Sequence, residues 1–395
     1  MHIVVVGASL AGLRAVETLR DRGFDGALTL AGDEPHLPYD RPPLSKQVLQ
    51  GAWEAERTFF RKTEGYDALA LDVRLGTRAT SLDLRERRVG LAGGTALSYD
   101  RLIIATGARV RTLPSMTPRA GLHVLRTLDD ARALVGDLAR ARRVAIVGGG
   151  FIGLEVAASC RARGLEVAVV EALPVPLSSV WGEALGRLVA AIHRDHGVDL
   201  RTGVMVSEIL GAPRVTALVL SDGTRIEADV VIVGIGVLPN TEWLDGSGLT
   251  LSDGVVCDAT GRAAPDVYAA GDAARLHNGW LGGPARVEHW TNAVEQAVHV
   301  AESLLAGAGA TRAFASVPYV WSDQYDRKLQ FLGRAQPHDE MVIVDGRVED
   351  RRFTALFRHG DRLCGCLAIN QPRAIVKYRK LLAQGVGWSE ALAEA

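Results

Sequence analysis

The sequence predicts an α/β protein, with two Rossmann-like dinucleotide-binding domains followed by a C-terminal α+β domain. Three observations carry that expectation. "HIVVVGASLAGLRAVETLRDRGFDGALTLAGDE" (residues 2–34) and "RRVAIVGGGFIGLEVAASCRARGLEVAVVEA" (residues 142–172) share one design: an apolar strand, a glycine turn, an amphipathic helix ending at Arg-Gly, and a second apolar strand. Unbroken apolar strands suit a parallel sheet buried on both faces, and each segment has the length of a βαβ unit. From about residue 316 the pattern changes to short alternating stretches, "VPYVWSDQYDRKLQFLG", "MVIVDG" and "RFTALFRHGDRLCGCLAI", separated by polar turns as antiparallel strands are.

Between the two repeats, "ALSYDRLIIATGARVRTLP" (96–114) reads as a turn, a buried strand and an Ala-Thr-Gly turn. "IEADVVIVGIGVLPN" (226–240) has a similar shape, and "APDVYAAGDAA" (264–274) is a short strand that runs into Gly271-Asp272. The order implies nesting. The first domain covers 1–110 and 232–315 and is interrupted by a second at 111–231; the third covers 316–395 and closes on the helix "PRAIVKYRKLLAQG".

Composition narrows the function. The 395 residues are 48% hydrophobic, enough for substantial cores, and a formal net charge of −1 disfavours a general nucleic-acid binder. The four cysteines, Cys160, Cys257, Cys364 and Cys366, form no C-x-x-C, so neither a zinc ribbon nor a thioredoxin-like motif is expected, and no metal site is read. Cys364 and Cys366 fall on one face of a strand. The first strand starts almost at Met1, which leaves no room for a leader peptide, and no apolar run approaches the roughly 20 residues of a membrane helix. A soluble, cytoplasmic protein is expected.

The first turn, Gly7-Ala8-Ser9-Leu10-Ala11-Gly12, keeps the outer glycines of a dinucleotide fingerprint and has Ser9 in place of the middle one. The helix that follows offers free N–H groups to phosphate, and Asp33, with Glu34 beside it, stands where an acid would hold the adenosine ribose. The second turn, Gly148-Gly149-Gly150-Phe151-Ile152-Gly153, is a full match. Glu171 ends its next strand, where a carboxylate accepts ribose hydroxyls and repels a 2′-phosphate, so NADH is favoured over NADPH. The late Gly271-Asp272 turn points to FAD in the first site.

At this point the chain resembles the FAD-dependent NADH:ferredoxin reductase family of bacterial oxygenase systems. The likeness rests on "GASLAG", "GDEPHLPYDRPPLSK", "YDRLIIATGA", "LRTLDDA", "VGGGFIGLEVA", "GVLPN", "YAAGDAA", "EHWTNAVEQA" and "WSDQY", which run from the start to about residue 325. Rubredoxin reductases and apoptosis-inducing factor are more distant relatives. The resemblance implies a glutathione-reductase-like pair of nucleotide domains with FAD bound and NADH as co-substrate. Gly7, Ser9, Ala11, Gly12 and Asp33 would take the adenosine and pyrophosphate end of FAD. Ala79 would meet the adenine with its backbone, Arg41 would lie near the pyrophosphate or the ring edge, and Arg126 would reach the cofactor. Thr106 and Gly107 would line the flavin pocket, Asp272 would hold the ribityl and phosphate region, and Trp290 would lie against the isoalloxazine. Gly148, Gly150, Gly153 and Glu171 would hold NAD.

The resemblance also implies that Lys46, which follows a rigid proline pair, lies near the flavin ring, where a cation beside N5 favours the anionic reduced flavin. Glu155, early in the second repeat's helix, is expected to reach Lys46 across a domain cleft and hold it. These two are the candidate catalytic residues. His289 reads as structural more readily than as a proton donor, and Trp321 as core.

The expected reaction passes hydride from NADH to FAD, then single electrons to a [2Fe–2S] ferredoxin that serves a cytochrome P450 or a Rieske-type oxygenase. The ferredoxin would dock transiently by charge on Arg126, Arg327-Lys328 or the basic C-terminal helix (Arg373, Lys377, Arg379, Lys380) of a monomer or weak dimer. A disulfide reductase needs a thiol in residues 35–60, and no cysteine precedes Cys160. A rubredoxin reductase, or a redox-controlled binding flavoprotein resembling apoptosis-inducing factor, remains as the alternative.

Overall fold

The computed structural model describes residues 1–114, 116–307, 312–336 and 338–394. The helices that position the site are α1 (Leu10–Asp21), α2 (Leu128–Leu138), α3 (Phe151–Ala162), α4 (Glu183–Asp195), α5 (Trp290–Ala306), α6 (Pro372–Gln384) and α7 (Trp388–Ala393). The chain folds as two compact units: 1–40, 59–109 and 238–320 in the first, and 41–58, 110–237 and 321–395 in the second.

The first unit is built on a six-stranded sheet in the order Arg262–Ala264, Val267–Ala269, Arg101–Ile104, His2–Val6, Ala27–Ala31, Leu71–Arg74. All neighbours are parallel except the first pair. Its central strands are apolar throughout because both faces are covered: Ile3, Val4, Val5, Leu30, Leu102, Ile103 and Ile104 are fully buried. α1 packs along α5 with Leu13, Val16 and Leu19 turned inward, the stripe an amphipathic helix presents to a core.

The second unit repeats the plan with a five-stranded parallel sheet in the order Asp199–Thr202, Glu166–Glu171, Arg143–Val147, Val230–Val233, Leu122–His123. A five-stranded sheet toward the C-terminus runs Tyr319–Gln324, Arg327–Gly333, Arg362–Ile369, Arg352–His359, Glu340–Arg347. α6 lies on its strands Arg327–Gly333 and Arg362–Ile369.

Three details differ from the sequence expectation. Val230–Val233 pairs in register with Val144–Val147, so the first unit resumes at Leu238 instead of near 232. Residues 41–58, expected in the first domain, belong to the second unit. The short helix α7 follows the helix that was expected to close the chain.

Candidate functional site

The first glycine turn owes its shape to steric exclusion. Gly7 adopts φ +125, and a Cβ there would lie 2.0 Å from the Ala105 carbonyl oxygen. A Cβ on Gly12 would lie 1.9 Å from the Gly7 oxygen, so the helix is pulled against the turn as only glycine allows. Ser9 is the N-cap of α1 at φ −132, extended backbone open to any residue, which explains why the middle glycine is dispensable. Its side chain caps no backbone N–H, leaving the amides of the first turn to an anion.

The other first-site residues gather around this turn. Gly271 (φ +75) is backed by Ala11 of α1 and Ala293 of α5; a Cβ on it would sit 3.0 Å and 3.8 Å from their Cβ atoms. Its N–H donates to Gln296 Oε1 at 2.9 Å. The N-terminal turns of α1 and α5 therefore meet at Gly271-Asp272, two positive helix ends together. Trp290 opens α5 and donates its indole N–H to Asp40 Oδ1 at 2.8 Å. His289 is the N-cap of α5; burial lowers its pKa to about 4, and its Nδ1 is a buried atom with no partner among the described residues. Such an orphan beside a helix N-terminus fits a site that expects a polar ligand.

Thr106 and Gly107 are clamped to Asn240. Thr106 Oγ1 donates to the Asn240 oxygen at 2.8 Å, Asn240 Nδ2 returns a bond to the Thr106 oxygen at 2.9 Å, and the Asn240 N–H donates to the Gly107 oxygen at 2.9 Å. Asp33 is exposed at the end of Ala27–Ala31, with Arg78 at 3.6 Å, and Ala79 follows that arginine. Glu34 accepts the Tyr39 hydroxyl at 2.5 Å, so of the two acids Asp33 is the one turned to solvent.

The second turn is a near copy. Gly148 has φ +109, and a Cβ would lie 2.2 Å from the Gly234 oxygen; one on Gly153 would lie 2.0 Å from the Gly148 oxygen. Gly150, the N-cap of α3, has open space before it, as close approach of a pyrophosphate requires. Glu171 ends its strand and braces the turn: Oε2 accepts the Gly149 N–H at 2.6 Å and Oε1 the Leu173 N–H at 2.7 Å. The fit to a nucleotide is that of the first turn with all its glycines.

Lys46 and Glu155 are brought together, 7% and 3% exposed, with Nζ 2.7 Å from Oε2. They lie within the second unit, so the pair does not bridge two domains as the sequence suggested. Pro42–Ser45 forms a 3₁₀ turn with Lys46 as its C-cap, its N–H bonded to the Pro43 oxygen, which is how the proline pair aims the lysine. Arg41 Nη1 donates to the Arg126 oxygen at 2.5 Å, and Arg126 precedes the Thr127–Asp130 capping box of α2.

Sequence reasoning missed four residues around this pair. Ser45 donates to Glu155 Oε2 at 2.5 Å and Ser322 to Oε1 at 2.8 Å. Gln324 and His193 stand behind Ser322. "WSDQY" carried the signal, because its period-2 alternation puts Ser322 and Gln324 on one face of a strand; His193 carried none.

All four cysteines are free. Burial raises Cys160, Cys257 and Cys364 to about 12 and Cys366 further, so none is a thiolate near neutrality. His338, Asp339 and His359 gather closely enough for a metal, but the Asp339 oxygens already accept from the Gln336 N–H, His359 and Cys364, which is loop architecture. Among the described residues no helix is long and apolar enough to cross a membrane.

Two glycine turns of this geometry, each on its own parallel sheet, define the class of two-dinucleotide oxidoreductases. Residues 1–297 match the pyridine nucleotide-disulphide oxidoreductase family and residues 319–394 the reductase C-terminal family. The chain belongs to the pyridine nucleotide-disulphide oxidoreductases. It is 40% identical to the ferredoxin–NAD(+) reductase component of the anthranilate 1,2-dioxygenase system of Burkholderia cepacia, across 97% of this chain and 94% of that protein. It is 38% identical to rhodocoxin reductase of Rhodococcus erythropolis, across 97% and 90%. Its fold superimposes with TM-score 0.93 on the reductase of the covalent putidaredoxin reductase–putidaredoxin complex, at 32% identity across 98% of this chain and 93% of that one.

Proposed function

We propose that this chain is an NADH-dependent ferredoxin reductase that carries FAD in the first glycine turn and takes NADH at the second. The observation that carries the reading is the buried Lys46–Glu155 pair: residues 41–58 present a fixed cation and no thiol. A disulfide reductase has no redox cysteine to use here. When bound, FAD would accept hydride from NADH and release the electrons singly to a [2Fe–2S] ferredoxin of a P450 or Rieske-type oxygenase system. The name of the Burkholderia cepacia relative, a ferredoxin–NAD(+) reductase component of a dioxygenase system, supports a ferredoxin as the acceptor.

The protein's share is binding and electrostatics. The N-termini of α1 and α5 and the Gly271 turn receive the pyrophosphate, with Asp272 on the ribityl side. Asp33 takes the adenosine ribose, with Ala79 at the adenine. Thr106, Gly107 and Trp290 line the flavin, and Arg41 and Arg126 support its phosphate side. Lys46 is the cation that favours reduced, anionic flavin, and Glu155 keeps it in place. Gly148, Gly150, Gly153 and Glu171 hold NADH. The ferredoxin is met by the basic face of α6, where Arg373, Lys377 and Lys380 are exposed around Val376, itself 76% exposed. Near-zero net charge makes such a local patch the source of any steering.

Stopped-flow reduction of the purified flavoprotein with NADH and NADPH, followed by titration with [2Fe–2S] ferredoxins at rising salt, tests the reading. NADH is expected to reduce the flavin faster, and ferredoxin reduction to slow as salt screens the patch. Lys46→Met is expected to make the flavin harder to reduce. Efficient turnover with rubredoxin and none with any ferredoxin would move the assignment to the alternative acceptor.

A further inference from the structure

The Lys46–Glu155 pair is the inner end of a longer construction. Ser322 Oγ donates to Glu155 Oε1 at 2.8 Å, Gln324 Nε2 contacts Ser322 Oγ at 3.0 Å, His193 Nε2 contacts Gln324 Oε1 at 2.8 Å, and the Tyr325 hydroxyl contacts His193 Nδ1 at 3.0 Å. Ser322, Gln324 and His193 are fully buried. All belong to the second unit, drawn from the Ser322–Tyr325 stretch, α3 and α4.

Hydrogen-bond inventory sets the direction of every link. Glu155, paired with an ammonium, only accepts, so Ser322 spends its one proton on it. Ser322 must then accept, which turns the Gln324 amide NH₂ toward it and the amide oxygen toward His193. An amide oxygen cannot donate, so His193 carries its proton on Nε2. A neutral ring then accepts at Nδ1, and Tyr325 is the donor. Burial holds His193 near a pKa of about 4, consistent with a neutral ring. The donors therefore all run one way, from the phenol to the carboxylate.

The outer end is held at a cost. Tyr325 starts a two-residue hairpin connection at φ +57, a left-handed position where glycine is the ordinary choice. Its ring stacks on His196 at 3.6 Å between centroids and 10° between planes. A bulky residue in a strained turn, with its hydroxyl on a buried imidazole, indicates a constraint beyond turn formation.

We propose that Ser322, Gln324, His193 and Tyr325 are positioning residues for the redox site: a one-way hydrogen-bond chain from the half-buried phenol to Glu155 that fixes this carboxylate and, through it, Lys46. The proposal rests on the reading of Lys46 as the flavin's cation, and its test separates the two. The chain polarises each successive donor toward Glu155, so loss of the outermost hydroxyl is felt at the flavin although Tyr325 touches neither Lys46 nor Glu155.

The experiment uses the FAD-loaded protein and two readouts. Long-range proton–nitrogen NMR of histidine-labelled protein is expected to show His193 as the neutral Nε2–H tautomer, with its Nδ1 resonance moved by Tyr325→Phe; an Nδ1–H tautomer or an imidazolium near neutral pH overturns the chain. The flavin midpoint potential is then measured for Tyr325→Phe, Gln324→Leu and Glu155→Gln, and for Tyr325→Phe combined with Glu155→Gln. Both chain variants are expected to shift the potential in the direction of Glu155→Gln, by less, and Tyr325→Phe to add nothing once Glu155 is neutral. No shift, or the same shift in both backgrounds, overturns the proposal. Should Gln324→Leu fail to fold, Tyr325→Phe, which removes one oxygen, decides alone. Lys46→Met is the control: an unchanged potential there sinks the reading of Lys46, whereas a shift there with none in Tyr325→Phe sinks only the chain.

Discussion

At the scale of single residues, Glu171 does two things that one substitution can separate. Its oxygens brace the second glycine turn through the Gly149 and Leu173 N–H groups, and in the proposed function its charge turns away a 2′-phosphate. Glu171→Gln retains a carbonyl acceptor and loses the charge. We expect it to keep the fold and NADH binding within a modest factor while narrowing the NADH-over-NADPH preference roughly tenfold or more, since hydrogen bonds to charged groups are worth about 1.5–3 kcal/mol. The ratio of kcat/KM for the two nucleotides reads this; an unchanged ratio means that selectivity comes from elsewhere. Lys46 is a mixed case: its partner Glu155 was expected from the sequence, whereas the groups behind Glu155 were not. The prolines before it announced a presented cation, and the alternation in "WSDQY" put Ser322 and Gln324 on one strand face, but nothing local tied that face to Glu155 or marked His193 as part of a buried chain.

At the scale of elements, the two βαβ units were legible because their evidence is local: continuous apolar strands, glycines at fixed spacing, and an acid at the next strand's end. Boundaries were less so. Val230–Val233 was divided between domains because an apolar strand does not say which sheet it joins; its register with Val144–Val147 is a tertiary fact. Residues 41–58 group with the second unit for the same kind of reason: the Lys46–Glu155 pair was expected, but which unit the segment packs with is decided by distant contacts. The glycine turns make the nucleotide assignment testable. A methyl on Gly12 or Gly153 meets a carbonyl oxygen at 1.9 Å or 2.0 Å, so each helix must move off its own turn. Gly12→Ala is expected to purify with little flavin, read as the visible-to-ultraviolet absorbance ratio. Gly153→Ala is expected to retain flavin and raise the KM for NADH. The opposite pattern would exchange the two nucleotides.

At the scale of the whole molecule, stability near neutrality depends on histidines that fold without charge. Burial depresses His193 and His289 to about 4 and lowers His299 as well, against about 6.5 in the unfolded chain. A depressed histidine makes the unfolded state the better proton binder between those two values. Stability from these groups is therefore complete above about pH 6.5 and falls as the pH drops toward 4. For His193, which is fully buried, that window is worth on the order of 2–3 kcal/mol. Carboxylates with lowered values, such as Asp137, Asp229 and Asp258, push the same way at lower pH, from the ordinary carboxylate value of about 3.9 downward. The two contributions thus separate on the pH axis. Urea unfolding of the flavin-loaded protein from pH 7.5 to 4.5 is expected to show a midpoint that declines through the histidine window first. His193→Gln, weaker at pH 7.5 because it breaks the buried chain, is expected to lose less over the same interval. If the variant and the parent decline in parallel, His193 is not a neutral buried ring, and the polarity of the chain that ends on Glu155 falls with it.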